Sequence, residues 1–298
     1  MKLETLFHKG LNNRPLVIFI HGFGMDMRMW TDPSEVRVLG GLYPLKVLLP
    51  GFMGETVTSF SDLKAMGFSL LTWTQGRPFG PLSAAVSELD ALVKEYGEYA
   101  SEGTILIGHS RGGLVGRAYL ENKPGLILGL ITVATPHHGS GMAGWSVHLS
   151  PMASFIEKLL GEGPQKKYRK AFRRTLNFFN SEGIKELLPD STLYSGFKDR
   201  PETGVKCVST GGTNPDLVRI MDISIAELFQ KVMPDSLIPE EMKAGLGDGL
   251  VSAASSELPY ALHHTNFHAN HVSILFDKDA RAYISESVQT FRTCGCRQ

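Results

Sequence analysis

Ser110 stands in the run Gly108-His109-Ser110-Arg111-Gly112, a G-x-S-x-G spacing. A serine hydroxyl is a poor nucleophile at neutral pH. It needs a base within hydrogen-bond reach, and that base needs a carboxylate to orient it. Both partners are available later in the chain, in the order acid then histidine. Asp248 lies between glycines in Gly245-Leu-Gly-Asp-Gly-Leu-Val251, and His271 lies in Phe267-His-Ala-Asn-His-Val272. We therefore expect Ser110 as nucleophile, Asp248 as carboxylate and His271 as general base. Competing candidates remain at this point. His268, His263 and His264 are nearby histidines, and Asp216, Asp222 and Asp235 also follow the serine.

Attack on a carbonyl creates a negative oxygen that needs backbone N–H donors aimed at it. One expected donor is the amide of Arg111, directly after the nucleophile. The other is expected from the glycine-rich turn His21-Gly22-Phe23-Gly24, through the amide of Phe23. His21 and His109 read as local structural side chains rather than acid–base groups.

These residues need a scaffold, and the flanking sequence predicts one. Thr104 to Ile107 is an apolar, β-branched run that reads as a buried strand, and Leu114 to Glu121 reads as the helix after the turn. Gly108 and Gly112 suit a turn in which strand and helix approach too closely for side chains, with Ser110 in a strained backbone conformation. Pro15 to Ile20 predicts another buried strand, placing the His21 turn at its carboxyl end. Further strands are expected at Pro44 to Pro50, in SLLTW after residue 68, at Leu126 to Ala134 and at Gly204 to Gly211. Helices are expected around Phe60 to Met66, over Ser83 to Tyr99 with Ser83 as cap, and over Asp277 to Phe291. Strands alternating with helices predict an α/β fold with a mostly parallel sheet covered on both faces. Residues 139–200 lack a strand pattern and read as a mainly helical cap or lid insertion within a single domain spanning 1–298.

Composition narrows the partners. The chain has 298 residues, 42% hydrophobic and 20% charged, as in ordinary globular proteins. Its 30 basic and 30 acidic residues cancel, so no overall field favours nucleic acid or an anionic membrane. No apolar run is long enough for a transmembrane segment. Three cysteines, two of them one residue apart at Cys294 and Cys296, do not make a disulfide framework. Free thiols and the lack of a secretion signal pattern lead to a cytoplasmic expectation, with a trimmed secreted form still open. The histidines match no established zinc spacing, so neither metal nor other cofactor is expected. Within the insertion, Trp145, Leu149, Met152, Phe155, Ile156, Leu159 and Leu160 form an apolar stripe before the basic run Gln165 to Arg174. The stripe is expected either to pack on the core or to form an acyl-binding lid, and the basic run either to be solvated or to meet a lipid interface.

With HGFG at 21–24, GHSRGG at 108–113, VATPHHGS at 133–140, GDGLVS at 247–252 and NH at 270–271, the chain resembles the α/β-hydrolase superfamily. Within it the resemblance is to bacterial triacylglycerol lipases and their esterase relatives. It implies Ser110, Asp248 and His271 as triad and Phe23 and Arg111 as oxyanion-hole amides. His21, Gly22, Pro136 and His137 would line the substrate site, with Trp145 contributing from the insertion. The implied activity is ester hydrolysis through an acyl-enzyme, acting on small-molecule or lipid esters. Thioesterase and acyltransferase chemistry would use the same groups, and a dead hydrolase-fold binding protein or a metal-dependent hydrolase are the rivals. Two departures stand out. Relatives often have Met or Gln where this chain has Arg111, whose charge should either change the local electrostatics or pair with a nearby carboxylate that the sequence does not name. Secreted relatives often bind calcium through an aspartate two residues after the histidine, where this chain has Ser273.

Overall fold

Strand and helix alternate along the chain as β1 (Glu4–His8), β2 (Leu16–Ile20), α1 (Ser59–Ala65), β3 (Ser69–Thr74), α2 (Leu82–Glu95), β4 (Thr104–His109), α3 (Arg111–Asn122), β5 (Ile127–Val133), β6 (Lys206–Gly212), α4 (Ile225–Val232), β7 (His263–Phe267) and α5 (Lys278–Thr293). The computed structural model describes residues 3–38, 43–44, 57–122, 127–144, 181–198, 204–217, 219–220 and 223–293. Seven strands form one sheet in the order β1-β3-β2-β4-β5-β6-β7. Only β1 runs antiparallel to its neighbour β3, and every other pairing is parallel. The α/β expectation is met.

Alternation within the strands builds two cores. Side chains on a strand point to opposite faces in turn. Val17 and Phe19 of β2 join Ile105, Ile107, Ile131 and Val133 in a core that includes Leu63 of α1 and Ile284 and Val288 of α5. Leu16, Ile18 and Ile20 face the other way, with Leu106 and Leu130, onto Leu89 and Leu92 of α2 and Leu114 and Val115 of α3. Because both faces are covered, β2 is buried at every position. Each such aliphatic side chain contributes on the order of 1.5–3 kcal/mol. Cys207 sits in β6 as a free, buried thiol, pushed up to about 12 by burial.

Some expectations are corrected. Ser83 does not cap α2, which starts at Leu82 after Pro81. The Leu82 amide instead donates to Glu186 Oε2 at 2.8 Å, so a carboxylate from far along the chain satisfies the helix end. Strand β7 and helix α4 were not anticipated. Of the expected strand at Pro44 to Pro50, only Pro44 is described, in a two-residue pairing of Tyr43–Pro44 with Arg37–Val38. Residues 45–50 lie outside the described residues. So do 145–180 of the expected insertion, which contain Trp145, the apolar stripe and the basic run. The described parts on either side touch each other: the Ser140 amide donates to Leu187 O at 2.9 Å. Among the described residues no helix is long and apolar enough to cross a membrane.

Candidate active site

In register, Ile20 at the end of β2 pairs with Gly108 near the end of β4, which sets the two turns that follow side by side. The chain then turns sharply from β4 into α3. Ser110 is held in the left-handed region at φ 53°, one of two non-glycine residues there among the described residues, the other being Ala134. Its amide donates to Val133 O at 2.8 Å and its carbonyl accepts from Gly113 N at 3.0 Å, which fixes the turn from both sides. The glycines are sterically required. A Cβ on Gly108 would stand 2.5 Å from Gly112 backbone, and one on Gly112 would stand 2.4 Å from Ile20 O. The sequence reading of a strained elbow between close-packed strand and helix agrees with this geometry.

Asp248 and His271 meet. His271 Nδ1 lies 2.9 Å from Asp248 Oδ2, and the His271 amide donates to Asp248 O at 2.9 Å. The carboxylate is fully buried, and its other oxygen accepts from Leu250 N at 3.0 Å and Val251 N at 2.7 Å. Asn270 shapes the histidine turn. Its Oδ1 accepts from Val272 N and Ser273 N at 3.1 and 2.8 Å, while its Nδ2 donates to Asp216 O at 2.8 Å. The imidazole is brought to the elbow by His109, whose Nε2 donates to His271 O at 2.8 Å and whose ring centroid is 4.9 Å from that of His271. Among the described residues no hydrogen bond links the Ser110 hydroxyl to His271.

The rival histidines and acids fall elsewhere. His263 and His268 are exposed on and beside β7. His264 is tied to Ser209 Oγ at 2.8 Å and Asn266 Oδ1 at 3.1 Å. Asp216 offers its carbonyl to Asn270, Asp235 is exposed, and Asp222 lies outside the described residues.

The turn after β2 presses against the serine: a Cβ on Gly22 would stand 3.0 Å from Ser110 Cβ. His21 is buried with Nε2 accepting from Gln75 N at 2.9 Å, so the proton sits on Nδ1 and is donated to Gly22 O at 2.8 Å. Burial pushes its pKa down to about 4, against the raising effect of the Gly22 carbonyl. Burial also holds His109 and His137 well below the ordinary imidazole value. His137 is turned inward, its Nε2 3.0 Å from Thr132 Oγ1, so of the predicted lining residues His21 and His137 present no exposed ring, and Pro136 is buried too.

The carboxylate expected for Arg111 is Glu186. The guanidinium is 1% exposed, with Nη2 3.7 Å from Glu186 Oε2 and 2.7 Å from Gly80 O, and Nη1 3.2 Å from Gln75 Oε1. Burial lowers the Arg111 pKa while Glu186 opposes that, and burial raises Glu186 while the Leu82 amide and Arg111 oppose it. Neither Glu186 nor Gln75 carries a motif, and only the unexplained charge of Arg111 could have pointed to them.

The profile of the alpha/beta hydrolase family matches residues 17–282. A search of curated protein sequences found no match. Among solved structures, the mature form of the Bacillus licheniformis lipase BlEst2 superposes with a TM-score of 0.55 at 16% identity, covering 95% of this chain and 97% of that one. A carboxylesterase structure from the ammonia-oxidizing thaumarchaeon Nitrososphaera gargenis gives 0.52 at 12% identity, covering 98% and 95%. At such identities the likeness is one of fold.

Proposed function

The chain belongs to the α/β-hydrolase family, and from that premise we propose that it is a serine hydrolase of carboxylic esters, using Ser110, His271 and Asp248. The observation that carries the reading is the pairing of a left-handed Ser110 at a strand-to-helix turn with a buried Asp248–His271 couple whose backbone is bonded to the neighbouring His109. Fold alone would not supply a function. The lipase and carboxylesterase named above lend the substrate class, an acyl ester.

His271 Nε2 takes the Ser110 proton as Oγ attacks the ester carbonyl, an approach that tightens when substrate is bound. The C–O π electrons move to oxygen, and the amides of Arg111 and Phe23 receive the resulting oxyanion. Arg111 opens α3, so its N–H has no intrahelical acceptor and the helix N-terminus adds favourable potential. Collapse expels the alcohol, which takes the proton from His271 and leaves an acyl-serine. Water, deprotonated by His271, then releases the carboxylic acid and restores Ser110. Asp248 Oδ2 holds Nδ1–H throughout and stabilises the imidazolium. Each step uses protein groups and water, and no cofactor takes part.

The experiment is hydrolysis of p-nitrophenyl esters from acetyl to palmitoyl with chelator present, beside Ser110→Ala. Turnover that survives chelation and vanishes in the variant is the expected result. Equal inertness of both proteins, with no fluorophosphonate label on Ser110, would overturn the reading.

A further inference from the structure

Burying a guanidinium one residue past a nucleophile needs an explanation, because an unpaired buried charge is strongly destabilising. Both terminal nitrogens of Arg111 make a hydrogen bond, and one of the partners leads onward. Gln75, 2% exposed, accepts from Arg111 Nη1 at 3.2 Å and donates from Nε2 to His21 O at 3.0 Å. Its backbone amide donates to His21 Nε2 at 2.9 Å, and His21 Nδ1 donates to Gly22 O at 2.8 Å. The Gly22 carbonyl and the Phe23 N–H belong to one planar peptide unit and point in opposite directions. A hydrogen bond that fixes the Gly22 oxygen therefore fixes the direction of the Phe23 N–H. The path begins on the side chain of the residue whose amide is one oxyanion donor and ends on the peptide that carries the other. A second contact closes the loop, since the guanidinium stands 5.7 Å from the Phe23 ring centroid.

We propose that Arg111 and Gln75, anchored by Glu186, form a positioning brace that sets the separation and aim of the Phe23 and Arg111 amides. This rests on the serine-hydrolase reading. The brace touches no substrate. It acts by keeping the two halves of the oxyanion hole, which come from different strands, from relaxing apart before charge develops between them. Preorganised donors of this kind are effective because they need no rearrangement during reaction. Glu186 contributes by pairing the guanidinium and by holding the start of α2 through Leu82, so the charge inside the brace is balanced locally.

The test uses the full chain with Gln75→Leu, Gln75→Glu, Arg111→Met and the Gln75→Leu/Arg111→Met double variant. Active sites are titrated by fluorophosphonate so that misfolded protein does not count. The readouts are kcat and KM on p-nitrophenyl butyrate and the affinity of an alkyl trifluoromethyl ketone, which forms a charged tetrahedral adduct on serine. Loss of one oxyanion donor lowers kcat about 10²–10³-fold, so a misaimed donor should lower it about tenfold to a hundredfold. We expect that fall in each single variant, with KM within about twofold. Ketone affinity should drop by a factor similar to kcat, and the double variant should be little worse than the poorer single one. Gln75→Glu keeps an acceptor for Arg111 but loses the donor to His21, and should resemble Gln75→Leu. Titrated kcat and ketone affinity within twofold of wild type, even with lowered thermal stability, would make the network structural only and overturn the brace. An inert and unlabelled wild type would overturn the parent reading and the brace with it.

Discussion

His109 Nε2 donates to the carbonyl oxygen of His271 at 2.8 Å, joining residues 162 positions apart. The residue beside the candidate nucleophile thus holds the backbone of the candidate base. Asp248 grips the same histidine from the other side at Nδ1 and at its amide. His271 is thus fixed at three points, ring Nδ1 and two backbone atoms, and none of these contacts uses its Nε2.

Replacing His109 by leucine removes one of those points and leaves a buried carbonyl short of a donor, which costs about 1–3 kcal/mol. We expect titrated kcat to fall at least tenfold with KM little changed, while His109→Gln, which can still donate from Nε2, retains more activity. Equal kcat in leucine and glutamine variants would remove the proposed positioning role.

Ser110 carries a φ of 53°, where a Cβ is unfavourable and glycine is not. Ser110→Gly and Ser110→Ala should both be inactive, but the glycine variant should unfold at higher temperature, by about 1 kcal/mol of relieved strain. Differential scanning calorimetry of the pair decides this; an alanine variant that melts at the same temperature or higher would show the strain to be absorbed elsewhere.

Three buried imidazoles, His21, His109 and His137, have pKa values depressed chiefly by burial. Their folded-state values lie below the unfolded value near 6.5, so the stability they contribute is complete above that pH. It is lost progressively as pH falls from about 6.5 through the folded values. For His21, whose pKa is about 4, the full loss is about 3 kcal/mol. The raised carboxyls of Glu186 and Glu241 act in the opposite sense. Urea unfolding of wild type and His137→Gln at pH 7 and pH 5 isolates one contribution. The variant should show a shallower acid loss by up to about 1.4 kcal/mol per pH unit. Identical slopes would mean that His137 protonates freely in the folded protein.

The Asn270 side chain makes three hydrogen bonds, accepting two within the histidine turn and donating one to the Asp216 carbonyl. At about 1 kcal/mol each, Asn270→Ala should lower stability by about 2–3 kcal/mol. Because the turn sets the aim of the adjacent His271, kcat should fall as well. Asn270→Asp keeps the two acceptor contacts and should recover part of the stability; if it proves no more stable than alanine, the acceptor contacts matter little.

The parts of this protein that could be read from sequence are those governed by local chemistry. Strands β2, β4 and β5 are apolar and β-branched because both their faces are covered, so composition alone located them. The elbow was legible because close approach excludes side chains at Gly108 and Gly112. By contrast β7, His-His-Thr-Asn-Phe, is an edge strand with no fully buried position, so its register with β6 is set by pairing rather than by hydrophobicity. The cap of α2 is hidden from the sequence for a related reason: Ser83 is local, whereas Glu186 comes from 104 positions away. The pairing of Asp248 with His271 agrees with the order in which they occur. The brace through Gln75 is the least legible feature, because a glutamine acquires meaning only from what surrounds it.

Ser140 and Leu187 meet through a backbone hydrogen bond, so two described stems far apart in sequence stand side by side. Two stems joined in this way fix a short distance between chain ends, and closure entropy grows only slowly with the number of residues between such ends. In evolutionary terms such a junction is a port, a place where the number of residues between the stems can change at small entropic cost. In engineering terms Gly139 is the residue a graft should keep, because a Cβ there would stand 2.5 Å from Pro189 Cα and push the stems apart.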